Sequence, residues 1–352
     1  MQLRYSFRLY PNGPQRAALA RAFGCARVVY NDALRARETA RAEAAPFPSA
    51  GDLSKLLITE AKRTAERSWL GEVSAVVLQQ SLRDLDTAYR SFFDGLKGKR
   101  PRMGAPRFKS RKDSRQAVRF TANAKWKITP GGDLSLPKVG DVRVKWSRAL
   151  PSAPSTVTVI KDAAGRYFAS FVVVTDPASL PEVEPVVGID LGLGHFAVLS
   201  DGTKADAPRF LRRAEKKLKK AQRSLSRKAK GSNNPDKARV KVARAHARVA
   251  DARREFHHQL STKVIRENQA VAVEDLVVNG LARTRLAKSV HDAGWAAFVT
   301  MLEYKAALYG RTFGLAVSAC RAQVRPVRVP AQRGEAGTHR DGRPTVAGIP
   351  AL

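Results

Sequence analysis

Two acidic residues stand where apolar, β-type runs of the chain end. Asp190 closes Val186-Val187-Gly188-Ile189 and is followed closely by Gly192 and Gly194. Glu274 closes Val271-Ala272-Val273 and precedes Asp275 and Leu276. A carboxylate at the end of a buried strand, with glycines after it, lets backbone, metal and a phosphodiester approach one another closely. Two such strands side by side would let Asp190 and Glu274 bind Mg²⁺ and position an attacking water. Asp275 is the lesser candidate, because the next residue of a continuing strand points to the opposite face. The pattern fits equally well two carboxylates that only cap or solvate strand ends, and spacing alone does not separate these possibilities.

The second chemical feature is charge. Sixty-four Lys and Arg face 31 Asp and Glu, a formal net charge of +33. Such an excess repels itself in a compact fold, and a polyanion relieves the repulsion. Nucleic acid fits best, since each cation placed on a phosphate releases counterions. An anionic membrane surface is the rival partner. No apolar run approaches the roughly 18 residues of a spanning helix, and the polar start MQLRYSF does not read as a signal peptide. The cations are also spread through folded-looking segments, so no membrane partner is expected. The two cysteines, Cys25 and Cys320, cannot make a four-cysteine zinc site, and the chain reads as cytosolic, with no zinc.

Two cationic clusters stand out. Lys109, Arg111, Lys112, Arg115 and Arg119 follow a Gly/Pro-rich stretch and suit phosphate contacts. A solvated basic loop is the plainer alternative. Arg212, Arg213, Lys216, Lys217, Lys219, Lys220, Arg223, Arg227 and Lys228 crowd one helical stretch. Here the alternative is the charged faces of a coiled-coil pair, because Ala and Leu at helical spacing must also pack. Tyr30, Asn31 and Trp126 could meet bases but are more ordinarily core, and His257 and His258 are expected at the surface.

The elements that must position these residues follow from periodicity. QLRYSFRLYP alternates and predicts a strand, and residues 14 to 45 predict a helix. Further helices are expected over 52 to 66, with Ser49 or Asp52 as cap, and over 72 to 98. Short β-type runs follow at 117–121, 126–129, 141–146, 155–161 and 166–175, separated by Gly and Pro. They predict a small antiparallel barrel or sandwich that the first strand closes, with the helices inserted between. PASLPEVEP reads as a linker. Beyond it come a strand and hairpin from 186, two basic helices over 208 to 268 folded back near 231–235, and a strand at 269–278. A helix over 289 to 309 and a strand at 312 to 320 complete an α/β unit. The remainder is Arg/Pro/Gly-rich and reads as disordered.

VGIDLGLGHFAVLSDG, the basic hairpin, and VAVEDLVVNGLARTRLAKSVHDAGWAAFVTMLEYKAALYGR together resemble the RuvC-type nuclease domain of the TnpB (OrfB transposase) family of bacterial insertion sequences. RYSFRLYPNGPQRAALARAFGCARVVYN, VSAVVLQQSLRDLDTAYRSFF and PRFKSRKDSRQAVRFT resemble the same family, so the likeness runs over about residues 1 to 313. It implies a multidomain α+β protein: a wedge-like β-barrel from 1–10 plus 101–178, a helical recognition domain over 11–100, and an RNase H-like (RuvC) α/β domain over 185–320 with a basic helical hairpin. The tail would be 321–352. It implies a guide RNA from the transposon end, a double-stranded DNA target, a bacterial, nucleoid-associated location, and a three-carboxylate Mg²⁺ site with Asp190 first and Glu274 second. The third acid should follow a CxxC…CxxC zinc ribbon, and this chain has no CxxC. An internal deletion between about Phe313 and Gly314 accounts for the loss of both. Asp341, the one late Asp, lacks a surrounding helix or strand pattern. With two acids Mg²⁺ is expected to bind weakly, and cleavage to fall by about a thousandfold or more. The expected function is therefore RNA-guided DNA binding with impaired or lost endonuclease activity. The alternatives are an active endonuclease completed by Asp341 or Asp275, and an inert relic whose last domain fails to fold. No tyrosine or DDE arrangement supports strand transfer by the chain itself.

Overall fold

The structure is a computed structural model that describes residues 1–113, 115–228, 233–276, 278–281, 283–316 and 325–326. Strand β1 (Gln2–Tyr10) is followed by helix α1 (Gly13–Ala42). Asn12 caps α1: its side chain accepts from the Gln15 amide while Gln15 reaches back to the Asn12 amide, and a proline sits in the first turn. Helix α2 (Ala50–Ser54) starts with a capping box between Ser49 and Asp52. The helix expected over 52 to 66 is broken. A π-helical stretch, Lys55–Glu60, succeeds α2, then 3₁₀ turns at Ala61–Arg63 and Ser68–Glu72. Leu53 and Ile58 are both buried. Five residues along an α-helix they would point about 140° apart, and the wider π-helical turn that begins at Lys55 narrows that angle. Helix α3 (Ala75–Leu96) packs Leu78, Leu82 and Leu85 against Val29, Ala33 and Leu34 of α1. Inside this bundle the Arg37 guanidinium pairs with Asp86 and lies under the rings of Phe47 and Tyr89, at 4.7 and 5.4 Å.

The first sheet comprises β1, β2 (Gln116–Thr121), β3 (Lys127–Ile128), β4 (Leu134–Leu136), β5 (Gly140–Lys145), β6 (Thr156–Lys161) and β7 (Tyr167–Val174). Their order is β2-β6-β7-β1-β5-β4-β3, with every pair antiparallel. The opening strand is therefore central, joining β7 to β5, and does not sit at a closing edge. The sheet curls around Phe7, Trp146 and Phe171, whose rings lie 4.6 Å (Phe7–Trp146) and 5.7 Å (Trp146–Phe171) apart. The sequence pattern missed β4, since Leu-Ser-Leu is too short to declare a period, although Leu134 and Leu136 are fully buried.

The second sheet holds β8 (Val186–Asp190), β9 (His195–Leu199), β10 (Lys204–Asp206), β11 (Ala270–Glu274), β12 (Thr312–Ala316) and β13 (Arg325–Pro326). Its order is β10-β9-β8-β11-β12-β13. β8, β11 and β12 run parallel; β9, β10 and β13 are antiparallel to their neighbours. Helices α4 (Phe210–Ser226) and α5 (Asn233–Glu267) form the crossover. Part of the turn between them, and the segment expected to be a disordered tail except Arg325–Pro326, lie outside the described residues. After β11 come α6 (Val278–Leu281), α7 (Ala287–Ala293) and α8 (Trp295–Tyr309). The helix expected over 289 to 309 is interrupted at Gly294, held at φ +69°. A Cβ there would come within 3.1 Å of Arg253 Cδ, so glycine also admits the close approach of α5.

His257 is a correction to expectation. It is buried, between Phe196 and Phe298, with a ring nitrogen 2.9 Å from the Ala293 carbonyl. His258, by contrast, is half-exposed. Several ties among the described residues join the two sheets' units. Arg166, in the β6–β7 hairpin, holds Asp162 and reaches Asp251 of α5. The Pro-rich stretch before β8 is docked, with Ala178 and Leu180 donating to the carbonyls of Leu308 and Tyr309 and Arg311 donating to Pro181.

Lys305 of α8 is buried without a carboxylate; its ammonium donates to the His258 carbonyl, Ser261 Oγ and Thr262 Oγ1 at 2.7–2.8 Å. Burial pushes it down to about 8, from an ordinary 10.5. Between those values the unfolded chain binds the proton and the folded one does not, so this group makes stability rise with pH. Below pH 8 its destabilising cost is fully present. Lys305→Met should flatten that rise. Melting curves from pH 7 to 10 check it, and equal pH dependence in both proteins would refute the assignment.

Candidate nuclease site and nucleic-acid interface

The parallel pairing of β8 with β11 sets Val273 beside Ile189, which brings Glu274 level with Asp190 on neighbouring strands. Such strands lie about 4.8 Å apart. Val187, Ile189, Val271 and Val273 are buried on one face of the sheet, so alternation places both acids on the other. Asp190 is exposed and Glu274 half-buried. Before the acids, the same face carries Val186, Gly188, Ala270 and Ala272, the three small residues leaving room for a phosphodiester to come near. Beyond Asp190 the chain turns tightly: a Cβ on Gly192 would stand 3.1 Å from the His195 carbonyl. Strand β11 ends at Glu274. Asp275 is therefore past the strand, exposed, its amide donating to the Ala316 carbonyl at 2.9 Å.

The third parallel strand continues the row with Ala316, which pairs with Glu274. Among the described residues no group of three or more His, Cys, Asp or Glu is placed to hold a metal ion. Asp341 and Cys320 lie outside the described residues. Asp190 and Glu274 can contact a hard cation that keeps most of its waters. Two carboxylates do not supply the donors that a pair of ions about 3.5–4 Å apart requires, so the described residues do not fit a two-ion centre.

The first cationic cluster is partly committed within the fold. Lys109 lies against α1, its backbone amide and carbonyl clamped by the Asn31 side chain at 2.8 and 3.0 Å and its ammonium 3.8 Å from the centre of the Tyr30 ring. Burial there lowers its pKa. Arg119 is paired with Asp84 of α3 at 3.0 Å. Arg111, Lys112 and Arg115 are exposed and have no ion-pair partner among the described residues. Tyr30 is buried, and Trp126 packs in the curled sheet against Phe171.

On α4 the apolar side, with Leu218 buried, packs on α5, while Lys216, Lys217 and Lys220 point to solvent. Coiled-coil packing and a cationic face thus coexist on one helix. Arg212 approaches Ser289 Oγ at 3.4 Å, and Arg213 donates to the Pro208 carbonyl at 2.7 Å, its guanidinium 5.5 Å from the Phe210 ring centre. Glu215, between Lys219 and Lys288, is held down at about 2 by hydrogen bonds from Lys288 and then Lys219.

Sequence reasoning missed Asp292. Buried in α7, it accepts from the amides of Leu211 and Arg212 at 2.8 and 3.4 Å and pairs with Arg253 at 3.3 Å. It thereby caps α4 from a distant part of the chain, where no local signal exists. Arg209, just before α4, adopts a left-handed φ of +49°.

The Asn31 clamp makes a direct prediction. Asn31→Ala should cost about 1–2 kcal/mol and speed tryptic cleavage within 109–115. Unchanged digestion kinetics would show that the clamp does not hold this segment.

Residues 1–45 match a helix-turn-helix domain of the OrfB family of IS605 elements, and residues 170–285 match that family's segment described as "Probable transposase". A "Putative RNA-guided DNA endonuclease" of Streptomyces pristinaespiralis is 45% identical over 312 residues, covering 87% of this chain and 75% of that protein. InsQ of Escherichia coli, with the same description, is 33% identical over 321 residues, covering 86% and 77%. A cryo-EM structure of a Cas12f1–sgRNA–target DNA complex aligns with a TM-score of 0.50 at 13% identity, over 86% of this chain and 73% of that one, a likeness of fold. The family matches and the two relatives at 45% and 33% identity show it: the chain belongs to the TnpB/OrfB family.

Proposed function

We propose that this protein binds a guide RNA from the transposon end and, through it, double-stranded DNA, with endonuclease activity impaired or lost. The observation that carries the proposal is the imbalance at the site: Asp190 and Glu274 are level on adjacent strands, Ala316 continues the row, and no third acid joins them among the described residues. A family site of this kind uses divalent metal, and two acids hold it weakly. Affinity rests on other groups. The chain carries +33, and Arg111, Lys112, Arg115, Lys216, Lys217 and Lys220 are exposed cations suited to phosphates.

In this proposal 1–10 plus 101–178 act as the wedge-like barrel, 11–100 as the recognition helices and 185–320 as the RuvC-like domain. The junction inferred between Phe313 and Gly314 falls inside β12, whose register with β11 runs unbroken from Thr312 to Ala316. Phe298, Leu302 and Ala306 are buried against the second sheet's core, which supports a folded domain over an inert relic.

RNA should copurify with the protein, and that RNA should direct protection of a matching duplex. In Mg²⁺ that duplex should stay intact or be cut at least about a thousandfold more slowly than by a relative with three acids. Replacing Arg111, Lys112 and Arg115 together by Gln should lower the slope of log K against log salt by about 3. Efficient guide-directed cutting that disappears in Asp190→Ala would overturn the loss of activity, and absence of bound RNA would overturn guided binding.

A further inference from the structure

A pocket of about 350 Å³ opens two residues beyond Asp190. Its floor is the Gly192–Gly194 turn, and its walls come from the start of α4, the middle of α5 and α7. Phe210, Phe256 and Leu286 present apolar faces, and Leu286 is 47% exposed at the rim. Arg209, Arg212 and Arg253 also line it, against one acid, Asp292. That acid is already matched by two amides and Arg253, so the pocket keeps a cationic surplus. Arg253 turns its NH2 group to Asp292, so the cations left for a ligand are Arg209 and Arg212 at the start of α4. Because Asp292 occupies the amides that open α4, the helix terminus itself is not available to an anion.

Aromatic walls, arginines at the rim and a volume within the range of about 300–1,000 Å³ for small-molecule sites suit one flat, anionic unit. We infer that this pocket takes a single unstacked nucleotide of a DNA strand passing the Gly192–Gly194 turn that follows Asp190, its base against Phe210 and Phe256 and its phosphate on Arg209 and Arg212. Stacking on an aromatic wall needs no particular base, because every base has a π-face. The inference rests on the proposed DNA binding but concerns a different contact. Arg209 offers a clean handle. Its φ of +49° is a conformation that glycine adopts at no steric cost, so Arg209→Gly removes the cation while relieving the backbone.

The test uses the full chain and an oligothymidylate of about a dozen nucleotides carrying one 5-iodouracil, with no guide added. Irradiation should crosslink it to a peptide containing Phe210 or Phe256. Leu286→Trp, which fills the pocket from an exposed position, should weaken binding about tenfold and leave the salt slope unchanged, since stacking and not charge is lost. Arg209→Gly should fold at least as well as the native chain, bind several-fold more weakly and lower the salt slope by about 1. Crosslinks confined to other surfaces, or native affinity in both variants, would overturn the inference. An iodouracil-bearing oligouridylate that gives the same adduct in equal yield would overturn the assignment to DNA. Failure to recover guide RNA would sink the function proposed above without touching this result, and a missing adduct would leave guided binding intact.

Discussion

The parallel hydrogen bonding of β8 to β11 is the constraint on which the rest of the second sheet depends. Parallel neighbours cannot be joined by a tight turn, so a long crossover must leave the sheet and return, and here it is the α4–α5 hairpin. The register of that pairing puts two carboxylates from distant segments at one level and on one face. It also puts Val187, Ile189, Val271 and Val273 on the other face, under Phe298, Leu302 and Ala306. A slip of β11 by one residue would invert its faces, burying Glu274, exposing Val271 and Val273 and parting the two acids. The core and the site are therefore fixed by the same hydrogen bonds.

The crossover does a second thing. Because α4 must begin where the β9–β10 hairpin ends, its first turn lies beside the loop that follows Asp190, and Asp292 of α7 holds it there. Arg209 and Arg212, at the start of α4, thus stand beside the Gly192–Gly194 turn. In the first basic segment, Asn31 and Tyr30 hold Lys109, and Asp84 holds Arg119, which fixes the path of the chain between them. Some cations anchor the surface and their neighbours are left to solvent. This division suits polyanion binding: a segment pinned at both ends loses less entropy when phosphates arrive.

Grip and scission have different structural requirements. Affinity for a polyanion is spread over many exposed Lys and Arg, and no single one is decisive. Phosphodiester cleavage concentrates on a few acids that must be held in place together. A chain can lose one member of the second set and keep the first set whole, provided its sheet still folds. The unbroken β11–β12 register and the buried α8 face satisfy that condition.

The chain's own pattern determined a good deal: the charge, the two acids at strand ends, the amphipathic stripe of α3, the capping of α2, and the alternation of β1. All of these are local, set by periods of two or 3.6 residues or by side chains within one turn of the backbone they bond. What only the tertiary structure decided depends on partners far along the chain. It placed β1 at the middle of its sheet, turned residues 55–60 into a π-helical stretch so that Leu53 and Ile58 could share a core, buried His257 behind the Gly294 break, and brought Asp292 to the start of α4. It also committed Lys109 and Arg119 to internal contacts while their neighbours stayed free. In each case burial or a long-range hydrogen bond outweighed a local preference, because a few well-packed side chains contribute more than the propensity of one turn.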